Sequence, residues 1–367
     1  MKITVLKNSF LEALVIVQKA IAIKNIQEEL TGILLKAENG LLYLFATDLD
    51  LSIETSLPTE ITTEGSVVLP GNKFIEIIRK LPDTQIHIEK EEHSESVIIS
   101  YGINKKIELN GWSADNFPIL PLINTEYQIK IKSDVFKNMI KETIFATAVD
   151  EKRTIYSGLY FELEKNSLSL VASDTFRLVV KKEIITGDNQ HNINIIIPRK
   201  ALLEISRIAE EENIEIYGNG SKIFFRSGQT VVLSNLIKGN FPDYKKVIPK
   251  EFKTVLKIDK GLLHDVLERA SVFGTEKEKN YSFKIYIQEK TIRIESKSGL
   301  GSIDEEIEAE ITGEKQEIRF KTNFYLEALK VIPEETVILK YIGPLEAAIM
   351  EYDDGEKFQY LILPLRT

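Results

Sequence analysis

The sequence predicts an α+β protein built from three copies of one unit, each an antiparallel sheet covered by two helices. Three observations carry the prediction. Each third of the 367-residue chain opens with a short strand and an amphipathic helix. Each third then makes the same move again, strand into helix. Around the helices the chain is dominated by short runs alternating apolar and polar residues, the period of strands with one wet face and one core face.

The first helices are read in "NSFLEALVIVQKAIA" from Asn8, "SDVFKNMIKETIFATA" from Ser133 and "DKGLLHDVLERASVFG" from Asp259. Asn8, Ser133 and Asp259 are the expected N-caps, whose side chains can accept from the open amides of the first turn. Apolar residues recur at three- and four-residue steps, as at Phe136, Met139, Ile140 and Ile144. The second helices lie in "VVLPGNKFIEIIRKLPD" from Val67, "IIIPRKALLEISRIAEE" from Ile195 and "IRFKTNFYLEALKVIPEE" from Ile318. Pro70 and Pro198 stand just before a helix, where a missing amide costs nothing, and Pro82 and Pro333 stop one. The expected helical spans are 9–21, 71–80, 134–147, 199–209, 260–273 and 322–331. "TQIHIEK", "ENIEIYG" and "ETVILKY" follow as alternating strands. The proline-rich stretches "NFPILPL" and "NFPDYKKVIP" close the first two units, so the domains are expected at 1–124, 125–250 and 251–367.

Composition removes several function classes. With 43% hydrophobic and 28% charged residues the chain reads as a soluble globular protein. It has no cysteine, which excludes a disulfide scaffold and thiolate chemistry and fits a reducing cytosol. Glu12 and Gln18 interrupt the apolar stretch near the N-terminus, which therefore reads as domain structure rather than a targeting signal. No apolar run approaches membrane-spanning length. The net charge of −9 repels nucleic acid as a whole, so any contact with it requires a local basic zone.

No enzyme signature emerges. The four histidines, His87, His93, His191 and His264, lack ligand spacing, and no cofactor or metal site is expected. "YGNGSK" at Tyr217–Lys222 and "DDG" at Asp353–Gly355 read as hairpin turns. One device occurs twice: "FATDLDLSIE" carries Asp48 and "LVASDTFRLVV" carries Asp174, at the same point of the pattern and 126 residues apart. Two readings compete. Asp48, Asp50 and Asp174 could serve a metal-dependent nuclease or phosphoesterase, or Asp48 and Asp174 could each make an Asx turn after a strand. The third unit has no copy, which makes the turn the simpler reading.

Charge is sorted by element. The six predicted helices carry twelve basic and eight acidic residues while the whole chain is −9, and glutamate, a good helix former, is placed elsewhere. A wall built of these helices would attract phosphates in a sequence-independent way. It offers no aromatic platform for single strands, so a duplex backbone is the better ligand. A protein-interaction scaffold that never meets DNA is the remaining alternative.

Over its whole length the chain resembles the bacterial DNA sliding clamp, the beta subunit of DNA polymerase III. The stretches "FATDLDLSIE", "GSVVLPGNKFIEIIRKLPD", "FATAVDEKRTIYSGLYFE", "LVASDTFRLVV", "IIPRKALLEI", "LIKGNFPDYKKVIP" and "YLILPLRT" carry the resemblance together. It implies a crescent of three clamp domains, closing head to tail with a second copy into a homodimeric ring around duplex DNA. It implies no catalysis and no cofactor. A cytoplasmic protein tethers the polymerase by topology, through contacts weak enough to slide.

The resemblance also implies sites. A pocket between the second and third domains would take short hydrophobic peptides of the polymerase III alpha subunit, the clamp loader, other polymerases and repair proteins. Its matching positions are Tyr156, Ser173, Thr175, Phe176, Arg177, Leu178, Pro242, Lys246, Val247, Leu345, Ala347, Leu361, Ile362, Leu363, Pro364, Leu365 and Arg366. DNA-facing positions would be Lys24, Lys73, Arg79, Lys80, Lys137, Lys141, Lys152, Arg199, Lys200 and Arg207. The seam between copies would use Ile107 and Leu109 against Val272 and Phe273. Two departures stand out. Thr175 and Phe176 replace a small residue and histidine, and Lys246 replaces a commoner arginine, losing its forked hydrogen bonding.

Overall fold

The computed structural model describes all residues except 24–26, 92–93, 122–124, 150–153, 186–191, 274–280, 300, 353–354 and 367. Lys24, Lys152, His93, His191 and the Asp353-Asp354 turn thus fall outside the described residues. Among those described there are six α-helices: α1 (Lys7–Val17), α2 (Gly71–Lys80), α3 (Ser133–Thr143), α4 (Arg199–Ile208), α5 (Lys260–Ser271) and α6 (Thr322–Val331). No described helix is long and apolar enough to cross a membrane. The chain folds as two compact units, Met1–Asp134 with Lys200–Leu236, and Val135–Arg199 with Ile237–Thr367.

Unit 1 holds two antiparallel sheets. The five-stranded sheet runs, in spatial order, Glu60–Thr63, Lys2–Leu6, Gln85–Lys90, Ser96–Tyr101 and Lys105–Asn110. The eight-stranded sheet runs Tyr127–Lys132, Asn213–Gly218, Lys222–Ser227, Thr230–Asn235, Leu51–Pro58, Leu41–Thr47, Gly32–Glu38 and Gly65–Pro70. Its middle joins two repeats, because Thr230–Asn235 pairs with Leu51–Pro58 and sets Ser234 opposite Leu51. Helices α1 and α2 pack together through Phe10 and Phe74, edge to face with ring centroids 5.7 Å apart.

Unit 2 is built the same way. Its nine-stranded sheet runs Ile193–Pro198, Gly158–Glu164, Ser167–Ser173, Arg177–Ile184, Phe358–Ile362, Ala348–Tyr352, Thr336–Tyr341, Thr254–Asp259 and Glu310–Gly313. Here Phe358–Ile362 joins Arg177–Ile184, with Ile362 opposite Arg177. The four-stranded sheet runs Gly301–Glu308, Thr291–Ser298, Ser282–Ile287 and Gln316–Lys321. A buried polar cluster ties the joined strands to α3: Lys181 Nζ lies 3.1 Å from Glu142 Oε2 and 2.7 Å from Tyr352 Oη, which also meets Glu142. Burial of all three makes this cluster expensive to break by halves.

The helix starts correct part of the sequence reading. Asp259 caps α5, its Oδ1 accepting from Leu262 N at 2.8 Å. Asn8, in contrast, lies inside α1, and Leu6 holds the cap position without a side-chain bond. Ser133 is the first residue of α3, and its buried Oγ has no hydrogen-bond partner among the described residues. At all three starts the strand runs straight into the helix and the first helical amide donates across to a neighbouring segment, Lys7 N to Thr84 O, Ser133 N to Glu212 O and Lys260 N to Glu335 O, so the Asp259 cap is an addition to that anchoring. The α-helical parts of α1 and α3 are also shorter than expected, each closing in a 3₁₀ turn, Gln18–Ala20 and Ile144–Ala146.

Candidate functional site

The duplicated acids make one turn twice. Asp48 Oδ1 accepts from the amides of Asp50 (3.1 Å) and Leu51 (2.7 Å), and Asp174 Oδ1 accepts from those of Phe176 (2.9 Å) and Arg177 (3.1 Å). The hydroxyls of Thr47 and Ser173, one residue earlier, accept from the amides of Leu49 and Thr175 and donate to the carbonyls of Leu51 and Arg177. Leu49 and Thr175 take the left-handed conformation, φ 76° and 78°, which ordinary residues adopt only under such constraint. The remaining carboxylate oxygens face cations, Lys200 Nζ for Asp48 and Arg177 Nε for Asp174. The turn reading therefore holds for Asp48 and Asp174, and with Asp50 Oδ1 accepting from Asn235 Nδ2 at 3.2 Å the acids of the nuclease reading all have structural partners.

In unit 2 this turn borders an apolar groove of about 260 Å³. It brings together ten of the sequence-predicted pocket residues: Tyr156, Ser173, Thr175, Phe176, Arg177, Leu178, Pro242, Val247, Leu361 and Leu363. Leu178 and Leu361 are direct cross-strand partners and belong to a buried cluster with Val171, Val180, Tyr244 and Ile349. Phe176, Val247 and Leu363 remain exposed at 46%, 57% and 40%. Three apolar side chains held in water around one depression are an incentive for an apolar ligand. Leu363 N donates to Phe176 O at 3.0 Å, tying the C-terminal segment to the turn. The ring of Phe176 lies 5.2 Å beneath Lys321 Nζ.

Phe241, Asp243 and Tyr244 also line the groove, and the sequence reading missed them. Phe241 stacks on Tyr160 at 4.9 Å and meets the Tyr156 ring edge-on at 5.8 Å. Tyr244 Oη donates to Glu162 at 2.6 Å, and burial together with that carboxylate raises its pKa. All three lie in the "NFPDYKKVIP" stretch, whose aromatics were the available signal.

Arg177 is the polar anchor. It is 8% exposed and donates from Nε to Asp174 (3.0 Å), from Nη1 to Glu327 (2.5 Å) and from Nη2 to Phe145 O (2.8 Å). Its guanidinium carbon sits 4.4 Å from the Phe324 ring centroid. Burial opposes its charge, but Tyr360 and Glu327 more than offset burial and hold its pKa above the ordinary arginine value.

The other expected pocket residues are not part of the lining. Ile362 is fully buried on the opposite face of its strand, since successive side chains alternate and Leu361 takes the groove side. Ala347 packs against the cluster beneath, while Leu345 is exposed apart from it. Lys246 is exposed and paired with Asp243 at 3.0 Å, which holds that carboxyl below the usual range. Pro364, Leu365 and Arg366 run onward, Leu365 N donating to Arg319 O at 2.8 Å.

The expected basic residues sit on helix surfaces. Lys73, Arg79 and Lys80 are exposed on α2, where Glu76 pairs with Lys80 at 2.7 Å. Lys141 is exposed and Lys137 half-exposed on α3. Arg199, Lys200 and Arg207 are exposed on α4, with Lys200 paired to Asp48 and Arg207 to Glu204.

The expected seam residues lie by open sheet edges. Ile107 and Leu109 are half-buried on Lys105–Asn110, an end strand of its sheet. Val272 and Phe273 follow α5, and Phe273 abuts Gly301, the first residue of the end strand Gly301–Glu308. The first edge is basic at Lys105 and Lys106, and the second is acidic at Asp304, Glu305, Glu306 and Glu308.

Family models for the DNA polymerase III beta subunit match consecutive stretches: the N-terminal domain at residues 1–121, the central domain at 130–243 and the C-terminal domain at 245–366. The beta sliding clamp of Staphylococcus epidermidis is 31% identical over 379 residues, covering 100% of both chains. The crystal structure of the DNA polymerase sliding clamp from Bacillus subtilis superposes with a TM-score of 0.96 at 30% identity, over 100% of this chain and 99% of that one. A putative DNA polymerase III beta subunit from Eubacterium rectale gives 0.94 at 30% identity, over 100% of both chains.

Proposed function

Since the chain belongs to the DNA polymerase III beta subunit family, the bacterial sliding clamps, we propose that the groove of unit 2 is its docking site for short hydrophobic peptides and that two copies close through the edges named above. The protein is a processivity clamp, not an enzyme: it encircles duplex DNA and tethers the replicative polymerase. The single observation behind the docking reading is the depression framed by Phe176, Val247 and Leu363 over the Leu178–Leu361 floor. An extended peptide would bury apolar side chains there while Arg177, immobilised by its own partners, offers a fixed charge at the border. The same groove would serve the clamp loader, other polymerases and repair proteins in turn, all in the cytoplasm. We take the three clamp domains as 1–124, 125–250 and 251–367. The cations Lys73, Arg79, Lys80, Lys137, Lys141, Arg199, Lys200 and Arg207 would face phosphates, whose contacts exchange readily as the ring slides.

The closing seam can be argued from the internal ones. Ser234 opposite Leu51 and Ile362 opposite Arg177 follow one register, for Leu51 and Arg177 each open a strand three residues past a turn acid. Lys105–Asn110 is the first repeat's counterpart of the entering strands, with Leu109 penultimate as Ser234 is. Gly301–Glu308 is the third repeat's counterpart of the receiving strands, opened by Gly301. Continuing the register sets Leu109 of one copy opposite Gly301 of the other, Ile107 opposite Ile303, Lys106 opposite Asp304 and Lys105 opposite Glu305. An apolar pair and two opposite-charge pairs then lie across one ladder. Light scattering should give a stable species of twice 41.8 kDa, and the protein should stay on nicked circular DNA and run off linear DNA. A persistent monomer at micromolar concentration, or equal loss from both DNAs, would defeat the proposal.

A further inference from the structure

The joint between the first two repeats, in unit 1, repeats the joint between the last two, in unit 2, and lacks one group. In unit 2 the sixth residue of α6, Glu327, receives Arg177. In unit 1 the sixth residue of α4 is Glu204, and Leu51 stands at the position of Arg177. Glu204 Oε1 keeps Arg207 Nη1 at 3.0 Å. Its Oε2 is buried and has no hydrogen-bond partner among the described residues. Glu204 as a whole is 7% exposed.

A second truncation lies beside it. Tyr352 closes its strand in unit 2 and binds Lys181 and Glu142. The corresponding strand of unit 1 closes at Ser227, 6% exposed, whose Oγ is likewise unpartnered among the described residues. Thr55 and Ile16 take the places of Lys181 and Glu142, and the hydroxyls of Thr55 and Thr230 share a hydrogen bond of 2.9 Å. The missing atoms leave a cavity of about 360 Å³ lined by Glu204, Ser227 and the apolar Val15, Ile16 and Ile208. Lys19, Arg207, Glu210 and Glu211 also border it, so two cations and two further acids stand around the Glu204 carboxylate.

We propose that this cavity is a binding site for a guanidinium group on a short aliphatic stem, the group that Arg177 supplies from within the chain at the equivalent joint. A guanidinium carries donors enough for both the free Glu204 oxygen and the Ser227 hydroxyl, with its stem against Val15, Ile16 and Ile208. The volume matches that of small-molecule sites. The site requires neither DNA nor a closed ring, so its fate is separate from that of the docking groove.

Calorimetric titration of the full-length protein with ethylguanidinium tests it, with ethylammonium and acetyl-Gly-Arg-Gly-amide as companion probes. Ethylguanidinium should bind once per chain at millimolar concentration, and ethylammonium at least tenfold more weakly. Comparable binding of the peptide identifies a protein arginine as the occupant, and its exclusion identifies a small molecule. The isosteric Glu204→Gln should lose at least tenfold in affinity. Leu51→Arg should abolish binding by filling the site from inside, and Glu204→Gln keeps the test sound should Leu51→Arg not fold. No saturable binding, affinity unchanged in Glu204→Gln, or crystals soaked in ethylguanidinium that hold only water at Glu204 Oε2 would each overturn the proposal.

Discussion

Arg177 and Glu327, 150 residues apart in sequence, meet Nη1 to Oε2 at 2.5 Å and join the strand that borders the groove to helix α6. Because Arg177 also holds Asp174 and Phe145 O, one side chain fixes the turn, helix α6 and the 3₁₀ turn after α3 together. Arg177→Met should therefore lower unfolding free energy by about 1–2 kcal/mol in urea titration, the range for lost charged hydrogen bonds, since the Asp174 and Glu327 carboxylates it leaves behind reach solvent. Arg177→Lys should recover only part of that, since an ammonium cannot span three acceptors with a planar fork.

The groove makes a separate prediction. Leu363→Ala removes an exposed apolar side chain from its border and should weaken a fluorescein-labelled hydrophobic peptide about tenfold in polarisation assays, near 1.4 kcal/mol. Stability should change little, because Leu363 is 40% exposed. Unchanged affinity would move the docking site elsewhere.

Opposite charges at the proposed seam predict a swap. Lys106→Glu and Asp304→Lys should each shift the monomer–dimer equilibrium toward monomer by several-fold in analytical ultracentrifugation, through like-charge juxtaposition. The two variants mixed should form a heterodimer with opposite charges at both seams, one swapped and one unaltered, and the double variant should dimerise again.

The buried Lys181–Glu142–Tyr352 cluster predicts strong non-additivity. Lys181→Met alone should cost about 3–5 kcal/mol by urea unfolding, because it strands a buried carboxylate. Adding Glu142→Leu and Tyr352→Phe should restore much of the loss.

Arg269 donates to Glu305 through two bonds, of 2.7 and 2.6 Å, and holds that carboxyl below its ordinary 4.5. A depressed folded-state pKa stabilises the fold above the ordinary glutamate range, and that contribution is lost as pH falls through the lowered value. Carbon-detected NMR titration should place Glu305 below 4.5 and return it toward 4.5 in Arg269→Gln. With Glu305 opposite Lys105 at the proposed seam, dimer dissociation should begin in the same acid window.

Local chemistry was readable in the sequence wherever it acts locally. Helices Gly71–Lys80 and Thr322–Val331 fall where proline and apolar spacing predict them, and the Asn219 turn closes its hairpin with Oδ1 accepting from Ser221 and Lys222. The Asx turns at Asp48 and Asp174 follow from acid position alone. Caps were misread at Asn8 and Ser133 because α1 starts at Lys7 and α3 at Ser133 itself, a residue or two before those side chains would cap, and capping preference does not fix that offset. Strand pairing across repeats was not readable, since Val232 opposite Ile53 is one of many registers with the same alternation. Nor did sequence identify Glu327 as the partner of Arg177, for a glutamate on a helix looks the same whether solvated or paired.

The ladders that run on from one repeat into the next have a consequence for how such a molecule can be taken apart. Severing the chain near residue 124 strips Leu51–Pro58 of its neighbour Thr230–Asn235 and leaves a raw row of amides and carbonyls beside buried Leu51 and Ile53. Look-alike thirds are thus not interchangeable bricks: each is the missing wall of the one before it, and any fragment released by a protease should precipitate rather than persist.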